Sequence, residues 1–349
     1  MNNTEHTYII GEIGQNHNGS VDIAKLIVDL VARPVRDEAS DIDLRPMDAV
    51  KMTKRDLKEE LAASQMNRPY DSPNSFGRTY GEHRAALELD DEAHLEVYNH
   101  AKSLGLDVVE TLCSKGCLSL LKLFTPDRLK VASRDLTNLP LLEVMAETRI
   151  PIILSTGMAG KQELDNALDV ITRYHDDIAI LHCVSQYPTY PDNLNLRTIT
   201  YLLKHYPQYT IGFSDHTIGI AAPAVAVGMG AKIIEKHITI DRHMKGTDQK
   251  GSLGPDGVNR MVRDIRITER WLGREDLYIE PSVAEARVKL ERSLATRRAL
   301  EAGHVLTEED LHMLSPGNGF KWAERGQVIG KTLKTALPAD EIIYPDNLI

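Results

Sequence analysis

TIGFSDHTIGIAAPAVAVGMGAKIIEKHIT, Thr210 to Thr239, is the stretch from which the fold is read. Apolar and β-branched residues from Thr210 to Phe213 predict a strand, the Gly- and Ala-rich run from Ala221 to Met229 a helix, and Lys232 to Ile238 a second strand. Each strand runs into a histidine, His216 and His237. In a barrel of parallel strands the C-terminal strand ends converge on one mouth, so this spacing can bring two imidazoles to a shared point. Imidazole is a common ligand of divalent transition metals. Capping a strand end by bonding to backbone is the competing use of either ring. The neighbours Ser214-Asp215 and Glu235-Lys236 suit a site better than a core.

Working outward, short apolar or β-branched runs recur with helical patterns between them. They are Tyr8 to Ile13, Ala49 to Thr53, Asp107 to Leu112, Arg128 to Ala132, Pro151 to Leu154, Ile178 to Cys183, Thr210 to Phe213 and Lys232 to Ile238. Eight strands alternating with helices predict a closed α/β barrel of the (β/α)8 or TIM type. An open doubly wound sheet is the competitor, weakened by the lack of GxGxxG after the first strand. The runs end in Glu12, Lys51, Thr111, Ser133, Ser155, Ser185, Ser214 and His237, and catalytic groups of barrels sit at that face.

Between the first two strands, Pro34 to Pro46 is charged and bracketed by prolines, which predicts a surface excursion. The connection from Lys54 to Asp90 is rich in Gly, Pro, Ser and Asn and long enough for a lid or binding loop. Its Arg68, Arg78, His83 and Arg84 either meet an anion or are solvated charge. Pro255 to Leu272 reads as a helix, and Ala284 to Glu291 as a linker helix before turn-rich segments. The expected division is a catalytic barrel over 1–275, a linker over 276–290 and a small, mostly β domain over 291–349.

A chain of 349 residues with 42% hydrophobic and 5% aromatic content fits an α/β enzyme with a large core. Its net charge of -10 argues against a nucleic-acid or anionic-membrane surface, so an anionic ligand needs a local basic cluster. No apolar run approaches the roughly 18 residues of a membrane span, and the N-terminus lacks a signal pattern. Three cysteines, Cys113, Cys117 and Cys183, fit a reducing compartment, and the expectation is a cytoplasmic protein. Cys113 and Cys117 lack a second pair for zinc and read as structural.

A metal held by two histidines leaves positions open for a substrate oxygen, which suits Lewis-acid work on a carbonyl. Lys51, Lys130, Ser133, Ser155 and Ser214, with the amides around Gly157, form a candidate phosphate or carboxylate cradle. Glu12 and Glu235 either orient hydroxyls and move protons or pair with those lysines.

Ile9 to Ser20 (IIGEIGQNHNGS), Lys130 to Glu143 (KVASRDLTNLPLLE), Pro151 to Met158, Leu181 to Thr189, Gly212 to Ile220 and Glu235 to Asp241 together resemble the sialic acid synthase family. The tail resembles that family's C-terminal antifreeze-like (SAF) domain. The resemblance implies a TIM barrel in a domain-swapped homodimer. It also implies condensation of phosphoenolpyruvate with an N-acylmannosamine-type aldehyde sugar, with phosphate released by C–O cleavage. By the same resemblance His216 and His237 bind Mn2+, or Mg2+ or Co2+ in its place. Lys51, Lys130, Ser133, Ser155, Ser185 and Ser214 hold phosphoenolpyruvate, while Glu12, Tyr187, Glu235 and Asp248 meet the sugar, Tyr187 and Asp248 entering through the resemblance alone.

Departures cluster on the acceptor side. Thr53 stands where the family has glutamine, Arg134 where it has a small glycine, Gln249 where a histidine is common, and Ser315 where an arginine is frequent. The segment Arg68 to Leu89 resembles members that use a 6-phosphorylated acceptor, with Lys54, Arg55, Arg78 and Arg84 as its phosphate's partners. A metal-dependent hydrolase on the same barrel and a non-catalytic sugar-binding protein remain the alternatives.

Overall fold

The computed structural model describes residues 6–39 and 41–349. Parallel strands close into a barrel: β1 (Tyr8–Glu12), β2 (Ala49–Lys54), β3 (Asp107–Leu112), β4 (Arg128–Val131), β5 (Ile152–Ser155), β6 (Ile178–Cys183), β7 (Thr210–Asp215) and β8 (Ile233–His237). Each pairs with the next, and β1 pairs with both β2 and β8, so Glu12 lies opposite both Lys51 and His237. The expected strands and the closed barrel are both present.

Period-two alternation explains how the barrel makes a site. Tyr8, Ile10, Ala49, Val109, Ile153, Ala179, Leu181 and Ile233 point inward and pack as an apolar plug. Their neighbours Ile9, Val50, Val108, Ile152, Ile180 and Ile234 point outward into the larger core beneath the helices. Gly212 sits opposite Ile233 because a Cβ there would come within 2.5 Å of both the Ile233 carbonyl and the Leu181 side chain. At the N-terminal end the Tyr8 hydroxyl donates to Asp107 (2.7 Å), Arg128 donates to that hydroxyl (2.8 Å), and the guanidinium covers the tyrosine ring at 4.3 Å. Two residues beyond Ile10, Ala49, Val109, Ile153 and Ile233 the inward face turns polar, at Glu12, Lys51, Thr111, Ser155 and Glu235.

The helices that cover the barrel include Val21–Ala32, Asp91–Ser103, Leu139–Glu147, Lys161–Ile171, Arg197–His205, Ala221–Gly228 and Pro255–Leu272. The alternation departs from the expected pattern after β3, where a 3-10 turn, Gly116–Lys122, replaces a full helix. The Pro34 to Pro46 excursion folds as an antiparallel pair, Val35–Asp37 with Ile42–Leu44. The long Lys54 to Asp90 connection is built from the short helices Leu57–Glu60, Ala63–Met66 and Tyr80–Ala85. Residues up to Gly273 form one compact unit and Arg274–Ile349 another. The second unit packs Leu294, Leu300, Leu306, Leu311, Val328, Leu333 and Ile343 around the strand pair Ser293–Thr296 and Leu311–Leu314.

The loop after β1 is buried rather than solvated. Asn16 donates to the Ile238 carbonyl and the Ser252 hydroxyl, both at 2.8 Å. His17 is 4% exposed, and burial, with His94 and Arg55 adding to it, pushes its imidazole down from 6.5 to about 4. A depressed histidine stays neutral in the folded chain but takes a proton on unfolding below about 6.5. Its contribution is therefore complete above that value and is lost as pH falls toward about 4, by up to about 3 kcal/mol. Denaturant unfolding at several pH values should give a flatter profile for His17→Asn than for the parent; parallel profiles would contradict this.

Candidate active site

The inward residues above the plug open into a cavity of about 390 Å³ at the C-terminal strand ends, a volume suited to a small ligand. Its wall carries each of the twelve residues predicted from sequence: Glu12, Lys51, Lys130, Ser133, Ser155, Ser185, Tyr187, Ser214, His216, Glu235, His237 and Asp248. Thr111, the remaining polar strand end, also lies on it.

Two lysines occupy the floor. Lys51 reaches Glu12 in an ion pair, bonds to the Thr111 hydroxyl (3.1 Å) and stands 3.9 Å from Glu235. Lys130 donates to the Ser155 hydroxyl (2.7 Å) and stands 3.9 Å from the other oxygen of Glu235. Glu235 also accepts from the Ser214 hydroxyl at 2.9 Å. Burial works to raise the Glu235 carboxyl, but Lys130, Lys51 and that hydroxyl outweigh it and bring it down from 4.5 to about 2. Burial depresses Lys130 and the neighbouring Lys51 adds to the effect, while Glu235 opposes it. Of the two uses read for Glu12 and Glu235, pairing with the lysines is the one seen in the structure.

Beside Lys130 lies a hydroxyl and amide cradle. The Gly157 amide donates to the Ser133 hydroxyl (2.9 Å), and a Cβ at Gly157 would lie 2.5 Å from Ser185 Oγ, 2.8 Å from Ser133 Oγ and 2.9 Å from Cys183 Sγ. A side chain at this position would therefore fill the cradle.

Opposite stand the two histidines, with ring centroids 5.6 Å apart. His216 Nδ1 lies 2.9 Å from the Val184 carbonyl, which can only accept, so Nδ1 carries the proton and Nε2 of the neutral ring keeps its lone pair. His237 Nδ1 is buried with no hydrogen-bond partner. Gly14, at φ +54, lets the β1 loop pass this ring, since a Cβ there would lie 3.3 Å from His237 Nδ1. No group of three or more His, Cys, Asp or Glu gathers as a metal cluster among the described residues. What fits a divalent ion is thus the imidazole pair, each ring with a nitrogen available. Tyr187 packs against His216, the rings tilted by 36° with centroids 4.0 Å apart.

The acceptor-side departures separate. Thr53 lines the cavity and donates to Glu12 at 3.5 Å. Arg134 also lines it, bonding Glu60 (2.7 Å) and the Cys113 thiol (3.0 Å). Arg84 and Arg55 each come within 3.7 Å of the same Glu60 carboxylate. Both arginines meet the Gln15 side-chain oxygen, at 3.0 and 2.5 Å, in the amide orientation that satisfies them. Gln249 is fully buried and bonds Thr239 and the Asn16 carbonyl (3.1 Å), which ties loops together away from the cavity. Ser315, in the second unit, donates to the Leu290 carbonyl at 2.9 Å. Of the four basic residues assigned to an acceptor phosphate, Arg55 and Arg84 reach the cavity wall; Lys54 turns to Asp91 (2.7 Å) and Arg78 is exposed.

Sequence reasoning missed Gln15, Tyr70, Tyr80, Cys183 and Thr247 on this wall. Cys183 was legible, since it ends an inward-facing register on β6 opposite Ser214.

The chain is similar to known proteins over nearly its whole length. A mouse (Mus musculus) N-acetylneuraminate-9-phosphate synthase is 30% identical over 342 residues, covering 98% of this chain and 92% of the mouse protein. The N,N'-diacetyllegionaminic acid synthase of Legionella pneumophila is 33% identical over 346 residues, covering 98% of this chain and 94% of its own. The crystal structure of an N-acetylneuraminic acid synthetase from Leptospira borgpetersenii, in complex with citrate, superposes with a TM-score of 0.68 at 28% identity, over 82% of this chain and 93% of that one. Residues 291–349 match the SAF domain. Since residues 44–276, most of the barrel, match the NeuB family, the chain belongs to that family.

Proposed function

We propose that the protein is a transferase that condenses phosphoenolpyruvate with an aldehyde sugar of the N-acylmannosamine type to form a nonulosonic acid. The observation that carries this reading is a pair of buried ammonium groups and a hydroxyl cradle sharing one cavity with two imidazoles whose nitrogens are available. An enol phosphate needs the first set, and a sugar carbonyl is polarised through the second.

Lys51 and Lys130, with Ser133, Ser155, Ser185 and Ser214, bind the carboxylate and phosphate of phosphoenolpyruvate by charge-assisted hydrogen bonds. A divalent ion held by His216 and His237, Mn2+ being the expected one, supplies Lewis acidity toward the aldehyde oxygen. Carbon 3 of phosphoenolpyruvate forms the new bond to the aldehyde carbon, water adds at carbon 2, and phosphate departs as its C–O bond breaks. Glu12, Glu235 and Asp248 orient sugar hydroxyls and the attacking water and take up protons, and Tyr187 walls the sugar against His216. Arg55 and Arg84, crowded on one carboxylate, give the acceptor end a basic lining that suits a 6-phosphorylated sugar, with the free sugar as the alternative.

The homodimer expected from sequence is also part of the proposal. Met158, Tyr187, Tyr190 and Ile218 are exposed on the barrel unit, as are Leu277, Ile279 and Leu290 in the linker, and a second copy would cover such apolar groups. The free thiols Cys113, Cys117 and Cys183 favour a reducing, cytoplasmic setting, and no helix among the described residues is long and apolar enough to cross a membrane.

Phosphate release with Mn2+ tests the reading against a panel of N-acetylmannosamine, its 6-phosphate, mannose 6-phosphate and bacillosamine-derived sugars. Expected is release that appears with one class of acceptor, accompanied by a new keto acid in the mass spectrum. Silence across the panel, or hydrolysis without carbon–carbon bond formation, overturns it. For a phosphorylated acceptor, Arg84→Met should raise KM about tenfold, the loss of one charged hydrogen bond; an equal rise for the free sugar would remove the assignment of that arginine.

A further inference from the structure

Alternation along β8 turns Glu235 toward the cavity and Lys236 away from it. Along β7 it does the same with Ser214 and Asp215. Lys236 and Asp215 are cross-strand neighbours, and neither side chain has any exposed surface. The Lys236 ammonium lies 2.6 Å from Asp215 Oδ2 and also donates to the Thr217 carbonyl. Asp215 in turn accepts from the Thr217 amide (2.8 Å) and the Thr217 hydroxyl (3.2 Å).

One ammonium therefore holds the residue before His216 and the residue after it, from a backbone position adjacent to His237. The far side of His216 is fixed independently: its ring bonds the Val184 carbonyl, and its own carbonyl accepts from the Thr189 amide at 2.9 Å. The ladder between the two strands ends at Asp215 and Lys236, so what is left to be set is the course of the chain through His216 relative to His237, and the Lys236 ammonium spans it by holding Asp215 and the Thr217 carbonyl. Stability alone is a poor reason for such a pair, because burying two charges is expensive and a well-packed apolar pair of similar volume commonly does as well.

We propose that Asp215 and Lys236 are positioning residues that fix the distance and mutual orientation of His216 and His237, and so set the affinity of the imidazole pair for a divalent cation. The proposal rests on the two-histidine reading of the site. Outer residues that orient metal ligands commonly change metal affinity by about 10- to 100-fold when removed.

The test is calorimetric titration of chelator-treated protein with Mn2+, beside thermal melting and the KM for phosphoenolpyruvate at saturating Mn2+. Two variants are compared with the parent and with His237→Ala: Asp215→Asn, which keeps the shape and an acceptor for the Thr217 amide, and the double change Asp215→Leu with Lys236→Met, which removes both charges together. Expected are a Kd for Mn2+ about tenfold weaker in the first and 10- to 100-fold weaker in the second, with KM for phosphoenolpyruvate unchanged in both. Affinity closer to that of the parent in Lys236→Arg than in the double variant would add support. A Kd within twofold of the parent in either variant overturns the proposal, as does a double variant that melts early while Asp215→Asn binds Mn2+ normally. A parent protein that binds phosphoenolpyruvate but takes up no Mn2+ overturns the two-histidine reading itself, and that result is distinguishable from the others.

Discussion

Replacing His237 with alanine is expected to lower kcat by at least about 10³-fold while leaving the fold and phosphoenolpyruvate binding in place. Lewis-acid stabilisation of a developing alkoxide is worth several kcal/mol, and each 1.36 kcal/mol is about a factor of ten in rate. The fold should tolerate the change because the ring ends a strand and its Nδ1 has no hydrogen-bond partner to orphan. His216→Ala would be a less clean experiment, since that ring bonds the Val184 carbonyl and packs against Tyr187. Phosphate release and calorimetric binding of phosphoenolpyruvate should be measured on one preparation. Turnover within tenfold of the parent would remove the histidine pair from the mechanism.

The second large effect is expected at Lys130. Lys130→Met removes a charge that donates to Ser155 and stands 3.9 Å from Glu235, leaving that buried carboxylate with Lys51 at the same distance on its other side. Breaking one side of a buried charge network destabilises by about 3 kcal/mol, and loss of a charged hydrogen bond to the ligand raises the phosphoenolpyruvate KM by about 10²-fold. Denaturant unfolding reads the first and steady-state kinetics the second. A normal KM in a destabilised protein would make Lys130 a structural counter-ion of Glu235 and nothing more.

The barrel was legible because its pattern is local. Each strand carries its own alternation, and the apolar plug from Tyr8 to Ile233 can be counted off strand by strand. The polar strand ends were legible for the same reason: once the barrel is assumed, Glu12, Lys51, Ser214 and His237 can converge on one mouth. Residues whose role depends on distant partners were not legible. Glu60 lies on a four-residue helix in a loop, and nothing near it in sequence announces that Arg55, Arg84 and Arg134 meet there. Gln249 stood out only as a departure from a common histidine, yet its partners are Asn16 and Thr239, the former more than two hundred residues away in the chain. The 3-10 turn at Gly116–Lys122 escaped because apolar spacing alone does not distinguish a tight turn from a helix.

The stopper formed by Tyr8, Asp107 and Arg128 beneath the plug has a consequence for traffic. The stopper fills the N-terminal end of the barrel, so in the proposed reaction reagents and products would pass through the mouth at the C-terminal strand ends. In that reaction the anion held beside the lysines on the floor would enter first and depart last. Inorganic phosphate lingering there would bar the next enol phosphate, and the residence time of that small anion would then set the pace of the cycle.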